Sequence, residues 1–87
     1  MLLLIEVSDT TPAYDRGLKL SRYARAGILE VWIVNLEGVR IENHTEPSDD
    51  LYRHVELARP GQTLASAALC GTIFRVDDIL GQGTAVY

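Results

Sequence analysis

Leu2-Leu3-Leu4-Ile5-Glu6-Val7 and Glu30-Val31-Trp32-Ile33-Val34-Asn35-Leu36 are the stretches whose reading decides the fold. Each is a short, nearly continuous apolar run, the pattern of a strand covered on both faces. Between them, Ser8-Asp9-Thr10-Thr11-Pro12 is a helix-start signal, with Thr11 suited to the N-cap and Pro12 to the first helical position. The spacing predicts a helix from Pro12 to Ala26, stopped by Gly27. Strand, helix and strand at this spacing make a βαβ unit with parallel strands and a right-handed crossover. Ala13, Gly17, Leu20 and Ala24 fall on one helical stripe, and three of them are small. The helix is therefore expected to lie close against the sheet at Gly17.

Outward from this unit the pattern changes. Glu37-Gly38 reads as a tight turn, and Val39 to His44 alternates as a half-exposed strand. Thr45 to Asp50 is a polar turn containing Pro47, and Leu51 to Leu57 alternates again. A turn centred on Ser48 would set Glu42 opposite His54 and Arg40 opposite Glu56. Pro60-Gly61 is a further turn, Thr72 to Val76 an edge strand, Asp77 to Leu80 a last helical turn, and Gly81 onward a loose tail. The expected class is α/β, with antiparallel strands after the βαβ unit.

Composition narrows the function classes. The chain has 87 residues, 47% apolar and 23% charged, which is a small globular domain and not a disordered chain. A formal charge of -4 argues against a general nucleic-acid coat, though not against a local basic face. The single cysteine, Cys70, cannot form an internal disulfide, which suits a reducing cytoplasm. The run Met1 to Ile5 lacks the basic flank, length and cleavage site of a signal peptide, and no stretch approaches a membrane span.

Glu6 is the informative residue, since it shares a strand face with Leu2 and Leu4 near the strand's end. A carboxylate among core residues must reach solvent, pair with a base or bind a metal. Lys19, the one lysine of the chain, lies four residues after Asp15, the order of a helical ion pair. Helical side chains lean toward their own N-terminus, so Lys19 can also reach the strand end carrying Glu6. Arg16, Lys19, Arg22 and Arg25 recur every third residue, as a solvated cationic face or a ridge facing phosphates. His44 and His54 read as surface residues of the hairpin and not as ligands, because no further His or Cys completes a zinc set. Cys70 has no basic neighbour in sequence and reads as a small packed residue.

Leu4-Ile5-Glu6-Val7-Ser8, Tyr14-Asp15-Arg16 with Lys19, Tyr23-Ala24-Arg25-Ala26-Gly27-Ile28 and Glu30-Val31-Trp32-Ile33-Val34 stand in a specific order and spacing. Together with Tyr52-Arg53, Arg59-Pro60-Gly61 and Val76-Asp77-Asp78, they resemble the Uma-type putative restriction endonucleases, a branch of the PD-(D/E)XK nuclease superfamily. The resemblance implies a restriction-endonuclease-like core that cleaves DNA phosphodiesters with Mg²⁺ held by carboxylates. It implies Glu6 as the metal-binding acid and Lys19 as the catalytic lysine, displaced from the strand onto the following helix. Members of that family carry further strands and another acidic ligand ahead of this strand. Residues 1–80 are accordingly expected to be the C-terminal portion of such a domain, and residues 81–87 a tail. With one carboxylate the Mg²⁺ site is incomplete, and the chain alone is expected to be inactive. The rival readings are a non-catalytic fragment or interaction module that pairs, with itself or a relative, through the open edge of its first strand, and a metal-free binding domain.

Overall fold

The computed structural model describes residues 2–8, 13–36 and 38–80. Strand β1 (Leu3–Ser8) is followed by helix α1 (Ala13–Arg25) and strand β2 (Glu30–Asn35). Strands β3 (Arg40–Ser48), β4 (Leu51–Ala58), β5 (Thr63–Ser66) and β6 (Thr72–Arg75) come next, and a short helix α2 (Val76–Leu80) closes the series. The main sheet runs in the order β1-β2-β3-β4, and β5-β6 forms a separate two-stranded sheet. β1 and β2 are parallel, as the two apolar runs around a helix require, and the remaining pairs are antiparallel. The fold is mixed α/β. Thr11, Pro12, Glu37 and the tail from Gly81 lie outside the described residues. None of the described helices is long and apolar enough to cross a membrane.

Strand periodicity sorts the core into two layers. Val31 and Ile33 point to the α1 side, where they pack with Ala24, Tyr52, Leu4, Leu20, Tyr23 and Ile28. Trp32 and Val34 point the other way, into a cluster with Ile41, Ala58, Leu64 and Val76, flanked by Leu3, Phe74 and Ile79. The sheet thus lies between α1 and the β5–β6 hairpin with α2. Trp32 meets Phe74 edge-on, with centroids 5.3 Å apart. β2 is buried on both faces because it has a strand on either side and a layer above and below.

β1 differs from expectation. Its place at the edge of the described sheet agrees with the open edge expected of it, but only one face is well covered where two were expected: Ile5 is 50% and Val7 62% exposed. The hairpin layer reaches Leu3 but not the far end of the strand. β4, the opposite edge, likewise buries Tyr52 and Ala58 while Leu51, Val55 and Leu57 stay exposed.

Helix α1 ends as its sequence dictates. Gly27 sits at φ 78, the Ile28 N–H bonds the Tyr23 carbonyl at 3.1 Å, and the Gly27 N–H bonds that of Ala24 at 3.0 Å. This is a Schellman cap, and Ile28 and Tyr23 both pack against the same core cluster. The stripe prediction holds for Leu20 and Ala24, which pack on the sheet, but not for Gly17. Gly17 is exposed, and a methyl group there would meet nothing within 4 Å, so no close approach calls for a glycine.

The β3–β4 turn is displaced from the expected centre. Ser48 pairs with Leu51, so the loop is Asp49-Asp50, with Asp49 at φ 57. Aspartate tolerates that left-handed conformation better than most residues. Glu42 therefore opposes Leu57 and not His54. β5 has no counterpart in the sequence reading. Cys70 is exposed at φ 59 in the β5–β6 turn, not packed.

Candidate functional site

Parallel pairing sets Glu6 beside Ile33, and antiparallel pairing sets Ile33 beside Glu42. All three side chains therefore stand on the α1 side of the sheet, in a row across three strands. Over this row passes α1. The Lys19 Nζ donates to Glu6 Oε2 at 2.9 Å, and the Tyr23 hydroxyl donates to Glu6 Oε1 at 3.4 Å. Lys19 and Tyr23 are one helical turn apart, so one face of α1 delivers both donors to one carboxylate. The ion pair is half-open: the Lys19 side chain is 45% and that of Glu6 23% exposed. Burial, then the negative charge of Glu6 and its hydrogen bond, push the Tyr23 phenol above its ordinary value.

The sequence reading singled out Glu6 and Lys19, and the structure brings them into contact. Asp15, the alternative partner for Lys19, lies with its side chain outside the described residues, as does Arg16. The rest of the cationic row divides: Arg22 is exposed, and Arg25 lies 3.8 Å from Asp50 at the β3–β4 turn.

Two groups of buried polar side chains escaped the sequence reading. On the α1 side, Glu42 and His44 are each 8% exposed, with His44 Nε2 3.1 Å from Glu42 Oε1 and Arg40 3.7 Å from Glu42 Oε2. The His44 ring also meets Tyr52 edge-on, and the Tyr52 hydroxyl donates to the Ile28 carbonyl at 2.7 Å. The signal was present in the i, i+2 alternation of Arg40, Glu42 and His44, but a turn centred on Ser48 hid it. His54 is a surface residue 3.9 Å from Glu56.

On the opposite side, Glu30 is fully buried. Its Oε1 accepts from the Ser66 hydroxyl and the Ala68 N–H, both at 2.8 Å, and its Oε2 from the Trp32 indole at 2.8 Å. Burial would raise its pKa, but the donors from Ala68, Trp32, Ser66 and Asn43 outweigh it and hold the carboxyl below its ordinary value. Glu30 fastens the β5–β6 turn to the sheet. A groove of about 650 Å³ between β4 and the β5–β6 hairpin, lined by residues including Leu57, Gln62, Leu64 and Ile73, shares nothing with the Glu6 cluster.

Chemically, Glu6, Lys19 and Tyr23 combine an anion, a cation and a phenol at the end of a parallel strand. Among the described residues, no group of three His, Cys, Asp or Glu side chains is arranged to hold a metal ion. No curated protein and no solved structure matches the chain. Residues 1–77 do match one protein family, Uma2, described as putative restriction endonuclease, so that nearly the whole chain is covered. The chain belongs to the Uma2 family.

Proposed function

We propose that the chain acts on DNA as part of a PD-(D/E)XK-type nuclease site, in which Glu6 is the acidic arm and Lys19 the cationic one. The observation that carries this reading is the 2.9 Å contact between Lys19 and Glu6 in a chain of an endonuclease family. Hydrolysis of a phosphodiester builds negative charge on the phosphate oxygens as water attacks phosphorus and the bond to the leaving oxygen breaks. An ammonium group held at the mouth of the site stabilises that charge. Tyr23 steadies the carboxylate from its other oxygen.

The divalent cation implied for such chemistry is Mg²⁺, which needs about six oxygen ligands. The described residues do not make that site. Glu6 contributes one carboxylate, both of its oxygens already accept hydrogen bonds, and Glu42 stands two strands away, about 9–10 Å in backbone spacing. Cleavage by this chain alone is accordingly expected to be absent or slow.

Anisotropy titration of labelled duplex DNA with the wild-type chain, Lys19→Met and Glu6→Gln, alongside plasmid cleavage in Mg²⁺ or Mn²⁺, tests the proposal. Lys19→Met should weaken DNA binding, and any cleavage should vanish in Glu6→Gln. DNA affinity indifferent to Lys19, or cleavage that survives Glu6→Gln, would overturn it.

A second reading has its own observation: among the described residues β1 is an open edge with Ile5 and Val7 exposed, which favours pairing with a second copy.

A further inference from the structure

Arg40 carries more hydrogen-bond donors than its neighbours can meet. Among the described residues nothing accepts a hydrogen bond from its guanidinium, and its Nε is buried without a partner. Glu42 Oε2, at 3.7 Å, is too distant for a hydrogen bond, so it orients the guanidinium without satisfying it. Leaving a charged donor buried and unpaired is costly, and such a group calls for an acceptor. The geometry points to an anion seat: Arg40 and Asn35 hold a backbone phosphate of DNA beside the Glu6–Lys19 pair. The seat rests on the nuclease reading for DNA as the source of the phosphate, and on the geometry alone for the donors.

Strand register fixes where it lies. Arg40 pairs with Asn35 and Asn35 with Ser8, one step beyond the row of Glu6, Ile33 and Glu42 and on the same face. That step is about 6–7 Å along the strands, toward the carboxyl ends of parallel β1 and β2. Ligands of open α/β sheets bind outside such strand ends. The Arg40 side chain is 31% exposed, so solvent reaches its end there.

Asn35 supplies the second donor. Its Oδ1 accepts from the Gly38 N–H at 2.8 Å, which fixes the amide and turns Nδ2 the other way. A Cβ at Gly38 would stand 2.6 Å from Arg40 Nη1 and 3.2 Å from Asn35 Nδ2, so both donors flank one point and a glycine leaves them room. A planar guanidinium with a neutral amide beside it suits the several acceptor oxygens of a phosphate. Glu6 stands two strands from Arg40, roughly 10–12 Å in backbone spacing, so one stretch of DNA backbone can touch both long side chains.

The experiment is an anisotropy titration of a labelled duplex, without divalent cation, over a range of salt. Wild type is compared with Arg40→Met, Gly38→Ala, the double variant and Arg75→Met, with circular dichroism confirming that each is folded. Losing one phosphate contact should lower the slope of log affinity against log salt by about 0.9, and weaken binding by about fivefold to tenfold at roughly 0.1 M salt. Gly38→Ala should lose affinity too, because its methyl group displaces the end of the Arg40 side chain and not the backbone. The double variant should bind no worse than Arg40→Met, since both changes act through one guanidinium. Arg75, on β6 in the layer across the sheet, controls for general charge and should change affinity by less than about twofold.

Inorganic phosphate separates the two sources of the anion. In protein labelled with ¹⁵N-arginine, the Arg40 Nε–H signal is the one lost in Arg40→Met. That signal should move with micromolar duplex and stay in place with the same concentration of inorganic phosphate. A signal moved by phosphate but not by duplex, full affinity in Arg40→Met, an equal loss in Arg75→Met, or additive losses in the double variant would each overturn the seat. DNA binding that depends on Lys19 would leave the nuclease reading standing in any of those cases, whereas a wild-type chain that binds no DNA would overturn both.

Discussion

Glu30 and Glu6 show how one residue type takes opposite roles according to what surrounds it. Glu30 is fully buried and held by neutral donors, whereas Glu6 is half-open and held by a lysine and a phenol. The lowered pKa of Glu30 makes a pH prediction. A carboxyl whose folded pKa lies below its unfolded one stabilises the fold above the unfolded value, 4.5, and that contribution is lost as pH falls through the folded value. Thermal melts from pH 7 downward should hold level until about pH 4.5 and then drop on this account. Glu30→Gln should be less stable at pH 7 by about 1–3 kcal/mol, because its amide N–H group confronts a donor, and should show a shallower acid decline. An unchanged acid decline in Glu30→Gln would assign it to other carboxylates.

At the scale of elements, α1 and β2 were legible because their signals are local. A continuous apolar run marks a doubly covered strand, and Gly27 ends the helix by its own conformation. The contact of Lys19 with Glu6 was legible for the same reason, since side-chain direction along a helix is fixed by its backbone. The β3–β4 register was not, because Pro47 and Ser48 signal a turn as strongly as Asp49 and Asp50 do, and the choice rests on placing Tyr52 against Ile28. β5 was missed because Thr63–Ser66 is short and gains its burial from the far cluster and from Glu30. The small-residue stripe misled at Gly17, where the helix has open space. Gly17→Ala should therefore stabilise the chain by about 0.5–1 kcal/mol, through helix propensity and a less flexible unfolded state. A loss of stability in a denaturant melt would show a contact that the open geometry of Gly17 denies.

Among the described residues, the main sheet ends in strands β1 and β4, with a covered centre. Self-pairing at β1 predicts a concentration-dependent dimer by sedimentation, reduced in Ile5→Lys, because Ile5 is already half-exposed and a lysine there disturbs an intermolecular contact more than the core. A monomer at all concentrations would dismiss the strand-edge reading without touching the Glu6 cluster. The Glu30 fastening has a further consequence, in time. Its carboxylate must stay hydrated until Ser66 and Ala68, 36 and 38 residues along the chain, arrive to replace water. A β5–β6 layer that seals the sheet only after the βαβ unit and β3–β4 have formed makes a kinetic prediction. The seal then governs how slowly the native state opens: losing the Glu30 carboxylate should hasten unfolding in a stopped-flow chevron while leaving the refolding arm nearly in place.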